Sequence, residues 1–171
     1  MRSGDDHVVL QAIEFWSTVC EEENMIAEEA LDAQEAGMPP ERQSHQFAIR
    51  ALDQILPDLL NILTKQDEDA EEGDWNPSMA SATCIDLLAR NVEDRITPTV
   101  IKFIEEHISS ADWRHREAAV MAFGTMPLSV SVRQYAIHKE RIRIDIEWAF
   151  GGEPVTLGDA SVALADYHVD R

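Results

Sequence analysis

Apolar side chains recur every three or four residues through most of the first 125 positions, which is the period of an amphipathic α-helix. The first such segment follows Asp5-Asp6, which can cap a helix, and ends before Gly37 and Pro39-Pro40. Its predicted apolar side carries Val8, Val9, Ala12, Ile13, Trp16, Val19 and Cys20, and continues through Ile26, Ala30 and Leu31.

Four more helices are predicted after this one. The second spans about Ser44 to Lys65, and Pro57 within it is expected to kink it. The third and fourth begin at Asn76-Pro77 and Thr97-Pro98, each a cap followed by proline at the first helical position. The fifth begins at Trp113, after a tight turn, and Gly124 is its stop signal. The apolar residues of the second helix are Phe47, Leu52, Ile55, Leu56, Leu59, Leu60 and Leu63. Those of the third are Met79, Cys84, Leu87 and Leu88, and those of the fourth are Val100, Ile101, Phe103, Ile104 and Ile108.

The helices alternate as pairs that recur about every forty-odd residues. That period is typical of helical-hairpin solenoids, in which each pair buries its apolar face only against its neighbours. The small residues Ala118, Ala119 and Ala122 allow close approach of one helix to the next. The pattern therefore predicts an all-α solenoid fragment over residues 5–125. Trp16 and Trp113 are expected in its core.

An acidic segment interrupts the pattern between the second and third helices. Six carboxylates crowd into the eight positions from 67 to 74, and a tryptophan follows at once. Such density of like charge predicts an exposed, hydrated loop that attracts a strongly basic ligand, and an aromatic side chain beside it can anchor that ligand. The candidate binding residues are Asp67, Glu68, Asp69, Glu71, Glu72, Asp74 and Trp75.

The overall charge of the chain also favours a basic ligand. The formal net charge is −19, and residues 1–125 hold 26 acids against 9 Lys and Arg, whereas residues 126–171 hold 7 against 5. This balance argues against nucleic acid and anionic lipid, which need clustered Lys and Arg, and favours a basic protein partner. No run is long and apolar enough for a membrane span, and no apolar core of a signal peptide is present. The chain is expected to be soluble and intracellular.

Catalytic and metal chemistry find little support in the sequence. The six histidines show no ligand spacing, and no nucleophile elbow, phosphate loop or acid–base pair is visible. Cys20 and Cys84 are expected to be buried, reduced thiols, because no C-x-x-C or Cys/His spacing exists. The chain is therefore predicted to be no enzyme and to need no cofactor or metal.

Three long motifs, in order, closely resemble the central HEAT repeats of the importin-β family of karyopherins, which carry cargo through nuclear pores. They are V-L-Q-A-I-E-F-W-S-T-V-C-E-E from Val9, D-E-D-A-E-E-G-D-W-N-P from Asp67, and D-W-R-H-R-E-A-A-V-M-A-F-G from Asp112. The likeness runs from about Asp5 to Thr125. It implies a right-handed superhelix whose second helices in each repeat line a concave surface.

The resemblance also implies partners. These are the basic importin-β-binding segment of importin α, Ran in its GTP form, phenylalanine-glycine repeats of nucleoporins, and basic cargo. The acidic segment and Trp75 match the family's acidic loop and its tryptophan, and Glu21, Glu22 and Glu23 match the acidic end of an inner helix. The implied location is the cytoplasm, the nucleus and the nuclear pore.

The likeness stops near Thr125. Residues 126–171 form a divergent tail in which R-I-R-I-D-I-E-W, from Arg141, alternates with the period of a strand. Two other interpretations stay open on the sequence. One is a different helical-repeat scaffold, such as a phosphatase regulatory subunit, in which the acidic segment would be incidental. The other is a truncated product with impaired binding.

Overall fold

A computed structural model of the protein describes residues 3–66 and 76–126. These residues form α1 (Ser3–Glu35), α2 (Phe47–Leu63), α3 (Pro77–Val92), α4 (Thr97–His107) and α5 (Trp113–Gly124), with a 3₁₀ helix (Glu93–Ile96) leading into α4. Within the two described ranges there is no strand. The predicted all-α class and the number of helices in this span are confirmed.

The helices pack as hairpins arranged in two layers. α2 packs on α3 and α4 on α5, while α3 also lies along α1. Smaller contacts join α2 to α1, α5 and α4, and α3 to α5. Side-chain amides fasten α1 to α3, since Asn91 Nδ2 donates to the carbonyl of Cys20 (2.8 Å) and Asn24 Nδ2 to that of Leu87 (3.2 Å). One layer thus contains α1, α3 and α5, and the other contains α2 and α4.

The core lies between these layers and consists of aliphatic side chains with small residues at the close contacts. Ala118 and Ala122 are fully buried, as the alanine pattern predicts. The largest fully buried side chains include Leu56, Leu63, Ile85, Leu88, Ile96, Val100 and Ile104. Pro57 lies inside α2, and the kink expected there stays a prediction.

The apolar face predicted for α1 is partly wrong. Ile13 and Cys20 are buried, but three predicted members, Val8 (67% exposed), Ala12 and Leu31 (61%), are exposed. Phe15, outside the predicted face, is also 61% exposed. α1 packs on the rest of the fold mainly through α3, so only one side of the helix is covered. Val8 and Phe15, seven residues apart, share a second apolar line beside the buried one.

Three other apolar predictions also need correction. Phe47 is 50% exposed, because the core of α2 begins at Ala48. Trp16 and Trp113 are only partly buried, and the guanidinium of Arg114 lies 4.8 Å from the Trp113 ring centroid. An indole packed under a cation at the surface gains from that contact without being in the core.

The helix starts agree with the capping predictions in part. Asn76 caps α3, its side chain accepting the N–H of Met79 at 3.0 Å. Thr97 was predicted to cap α4, but the 3₁₀ helix runs directly into α4, so the position before it is helical and Thr97 Oγ1 is buried without a hydrogen-bond partner. α1 begins at Ser3, before the predicted Asp5-Asp6 cap, and α2 begins at Phe47 rather than Ser44.

Both cysteines are free and fully buried, as predicted. Burial raises the pKa of the Cys20 thiol to about 12 and also raises that of Cys84. In the part of the chain that the structure describes, no helix is long and apolar enough to cross a membrane. Within the same part, no three His, Cys, Asp or Glu side chains come together as a metal site would require.

Candidate functional site: the acidic segment and its stems

The predicted binding residues of the acidic segment, Asp67 to Asp74, and the adjoining Trp75 lie outside the described residues. Their exposure and their role in binding stay predictions. The structure does describe the residues from which the segment leaves and to which it returns, Gln66 and Asn76. These two stems fix where on the solenoid the acidic charge is attached.

The first stem continues the end of α2. Thr64 Oγ1 donates to the carbonyl of Asn61 at 2.8 Å, and the N–H of Lys65 donates to the carbonyl of Ile62 at 2.9 Å. These bonds satisfy carbonyls that the last turn of a helix leaves unpaired. The chain therefore reaches Gln66 in a defined direction.

Gln66 is then held at two points by α5. Arg114 Nε donates to the Gln66 carbonyl at 3.1 Å, across 48 positions of sequence. With the Gln66 amide oriented to satisfy its neighbours, its nitrogen donates to both carboxylate oxygens of Glu117, at 3.2 and 2.6 Å. We call Gln66, Arg114 and Glu117 the stem clamp. It joins Gln66, the last described residue before the acidic segment, to the following hairpin.

The second stem is fixed to α2. Asn76 caps α3, and two residues on, Ser78 Oγ donates to the carbonyl of Leu63 at 3.2 Å. Ser81 Oγ donates to the carbonyl of Leu59 at 2.7 Å, and both serines are buried. The acidic segment is consequently attached at both ends to packed helices.

The stem clamp contains two ionisable side chains, Arg114 and Glu117, and both are partly buried. Burial raises the pKa of the Glu117 carboxyl. Arg114 also lies 3.8 Å from Asp112, the residue that caps α5. A positive guanidinium therefore stands directly beside the residue that precedes the first acid.

The three glutamates near the middle of α1 have different environments. Glu21 and Glu22 are exposed, whereas Glu23 is 5% exposed. The Glu22 carboxylate is paired with Arg42 at 3.2 Å, and the same guanidinium pairs with Glu29 at 2.5 Å. Glu21 and Glu22 are accessible to a partner in this structure, although Glu22 already shares a cation.

Glu23 has an internal role. Its carboxylate accepts hydrogen bonds from Ser44 Oγ (2.7 Å) and from the N–H groups of Phe47 (2.9 Å) and Ala48 (3.0 Å), at the N-terminus of α2. Burial alone raises the pKa of this carboxyl, but the hydrogen bonds from Ala48, Ser44, Phe47 and Gln46 outweigh it and leave the pKa below its usual value. We therefore do not include Glu23 in the partner surface.

Sequence reasoning missed the stem clamp and the cap made by Glu23. Both depend on pairs separated by tens of residues, which no local pattern reveals. A signal existed for the clamp: Gln66 immediately precedes the acidic run, and Arg114 and Glu117 lie within the third of the motifs that carried the resemblance. Nothing in the order of residues indicated that Gln66 contacts the third motif.

The chain is similar in sequence to a segment of several longer proteins. It is 52% identical over 126 residues to importin subunit beta-1 of Schizosaccharomyces pombe, which covers 74% of this chain and 15% of that protein. It is 42% identical over 142 residues to importin subunit beta-1 of Saccharomyces cerevisiae (81% and 16%) and 48% identical over 130 residues to that of Arabidopsis thaliana (74% and 14%). The chain spans about a seventh of the length of these relatives. No protein-family model matches it.

Solved structures agree with this similarity. Yeast importin-β (Kap95p) matches with a TM-score of 0.75 and 36% identity, over 95% of this chain and 18% of that one. Kap95p in a structure with RanGDP and Kap95 in a complex with Nup1 match with TM-scores of 0.74 and 34% identity over the same shares. The predicted HEAT-repeat solenoid architecture is confirmed by these neighbours.

Proposed function

Because the chain is homologous to a segment of the importin subunit beta-1 proteins, at 42–52% identity over 74–81% of its residues, we propose that it is part of a nuclear import receptor. It acts by binding partners and catalyses no reaction. The observation that carries this proposal is the sequence match, since a solenoid fold alone would fit many scaffolds. The chemistry of the acidic segment then supports a particular mode of binding.

The binding mode is electrostatic and collective. Six carboxylates lie between two stems that are hydrogen-bonded to α2, α3 and α5. One exposed ion pair contributes only about 0.2–1 kcal/mol, so several must act together on a Lys- or Arg-rich helix. Trp75 adds a cation–π contact of about 0.5–2 kcal/mol and excludes water from neighbouring pairs. Binding of this kind weakens as salt is added.

The partners follow from this chemistry and from the relatives. A basic segment such as the importin-β-binding segment of importin α fits the acidic segment, and basic cargo fits for the same reason. The structures with RanGDP and Nup1 are of a similar receptor, which supports Ran and nucleoporins as partners here. Glu21 and Glu22 supply a second, smaller acidic contact. A receptor with these partners works in the cytoplasm, in the nucleus and at the nuclear pore.

The test is a titration of the full chain with a synthetic importin-β-binding peptide at low and moderate salt. In the loop-neutral variant, all six acids between positions 67 and 74 are replaced by Ser or Asn. We expect this variant to bind much more weakly than the natural chain at low salt, and both to bind more weakly at moderate salt. A matched control replaces six exposed acids elsewhere by Ser or Asn, and we expect it to bind almost normally; these are Glu41, Asp53, Asp58, Asp94, Glu105 and Glu106. Unchanged affinity of the loop-neutral variant at low salt would identify the segment as a linker.

A further inference from the structure

Arg42, in the connection between α1 and α2, contacts two carboxylates of α1. We infer that Arg42 is an internal competitor: it occupies Glu22 and Glu29 as an arginine of a basic partner would, and it weakens partner binding at this part of α1 until it is displaced. Because Glu22 belongs to the proposed partner surface, the inference rests on the proposed function and adds an autoinhibitory contact to it.

The first support is the geometry of the guanidinium. Arg42 Nε and Nη2 donate to the two carboxylate oxygens of Glu29, at 3.0 and 2.5 Å, and Nη1 donates to Glu22 Oε2 at 3.2 Å. All three nitrogens of the side chain are therefore engaged. The two-point contact with Glu29 needs the planar fork of an arginine, which the single ammonium of a lysine cannot reproduce. The two carboxylates are thus arranged to receive an arginine.

The second support is that a partner can reach the same carboxylates. Glu22 and Glu29 are seven residues apart, about two turns, so they lie on one side of α1. Their side chains are 52% and 51% exposed. α1 carries ten acids and no Lys or Arg in its own sequence, and Arg42 supplies the ion pairs that the structure describes for this helix. A partner arginine that approaches these acids must therefore displace Arg42.

The third support is that the chain on both sides of Arg42 is attached to α1. Two residues on, Ser44 Oγ donates to the Glu23 carboxylate at 2.7 Å. Near the start of the connection, the N–H of Met38 donates to the carbonyl of Ala33 at 2.8 Å. These contacts keep the guanidinium close to its two acceptors, so Arg42 competes as an intramolecular ligand with a high effective concentration.

The exposure of the contact sets the size of the effect. All three side chains are about half exposed, and exposed ion pairs are individually weak and are screened by salt. The competition therefore lowers the affinity for a basic partner by about two- to fivefold at low salt, and by less when salt is added.

The test is a titration of the full chain with the importin-β-binding peptide at low salt, with Arg42→Gln as the main variant. Arg95→Gln removes the same charge from an exposed arginine of the 3₁₀ helix and is the matched control. Both substitutions are also made in a chain that carries Glu22→Gln and Glu29→Gln. Arg42→Lys keeps the charge but not the fork, and circular dichroism checks that each variant keeps its helicity.

We expect Arg42→Gln to tighten peptide binding by about two- to fivefold, Arg42→Lys to give a smaller gain, and Arg95→Gln to change binding by less than about 1.5-fold. Without the two carboxylates, Arg42→Gln should have no more effect than Arg95→Gln. A gain from Arg42→Gln no larger than that of the control, or a gain that persists without the carboxylates, would overturn the inference. Should Arg42→Gln lose helicity, Arg42→Lys is judged in its place by the same comparison.

A readout without peptide separates this inference from the proposed function. The hydrogen bond from Arg42 lowers the pKa of the Glu29 carboxyl, so a titration followed by NMR should show a higher pKa for Glu29 in Arg42→Gln and no change in Arg95→Gln. An unchanged pKa in Arg42→Gln would overturn the internal competitor even if the acidic segment binds the peptide. If the loop-neutral variant binds as tightly as the natural chain, the proposed role of the acidic segment fails, whereas a gain that depends on Glu22 and Glu29 still supports the competitor.

Discussion

Glu23 of α1 caps α2 across 25 positions of sequence, its Oε2 accepting the N–H of Ala48 at 3.0 Å. The residue at the N-cap position of α2, Gln46, has a left-handed backbone (φ 57°) and makes no side-chain cap bond. The start of this helix therefore depends on a carboxylate from the preceding helix. The same bonds hold the long α1–α2 connection against α1, because Ser44 in that connection also donates to Glu23.

We predict that Glu23→Ala destabilises the fold by about 1–3 kcal/mol, because two N–H groups at the start of α2 lose their acceptor. Urea unfolding followed by circular dichroism measures the change. Glu22→Ala, one position earlier, is the control and should change the free energy of unfolding by about 0.5 kcal/mol or less, because its ion pair is exposed. Equal losses of unfolding free energy in the two variants would show that Glu23 does not cap α2.

The contribution of Glu23 to stability should also depend on pH. Because the pKa of Glu23 is lowered in the fold, its stabilisation is complete above the unfolded value of about 4.3 and is lost as the pH falls through the lowered folded value. We expect the stability difference between the natural chain and Glu23→Gln to be largest at neutral pH and to shrink at acidic pH. A difference that stays constant from pH 7 down to pH 3 would contradict the assignment.

These contacts show where sequence reasoning succeeds and where it stops. The five helices of the described part, the Asn76 cap and the buried cysteines follow from local period and local chemistry. The exposed Val8 could not be foreseen, because helical period reveals an apolar line but not which line a neighbour covers. The Thr97 cap failed because a 3₁₀ turn precedes it, and the pairs Glu23–Ala48 and Arg114–Gln66 arise only once the helices pack.

In the acidic segment, Trp75 should matter more than any single carboxylate. An interface tryptophan often costs at least about 2 kcal/mol when truncated, whereas one acid among six is partly replaced by its neighbours. Trp75→Ala should therefore weaken binding of the basic peptide more than Asp69→Ala does, both measured by calorimetry with the helicity of each variant verified. An equal or smaller loss of affinity for Trp75→Ala would show that this side chain has a structural role and does not anchor the peptide.

The divergent tail is predicted to pack poorly on the helices. Met126 is 5% exposed and its N–H donates to the carbonyl of Phe123 at 3.2 Å, so a truncation should retain it. Residues 127–171 lie outside the described residues, and their strand-like alternation cannot continue a helix-on-helix interface. We expect their removal to leave the helicity per residue of the remainder unchanged or higher. A large drop in helicity or in melting temperature would mean that the tail caps the solenoid.

Photo-crosslinking can show whether the acidic segment receives a basic helix. An importin-β-binding peptide that carries a photoreactive group beside its basic cluster is irradiated with the full chain at low salt, and the attachment sites are mapped by mass spectrometry. We expect attachment within residues 67–75, together with loss of this product in the loop-neutral variant. Attachment confined to other helices, with residues 67–75 unlabelled and the yield unchanged in the loop-neutral variant, would contradict it.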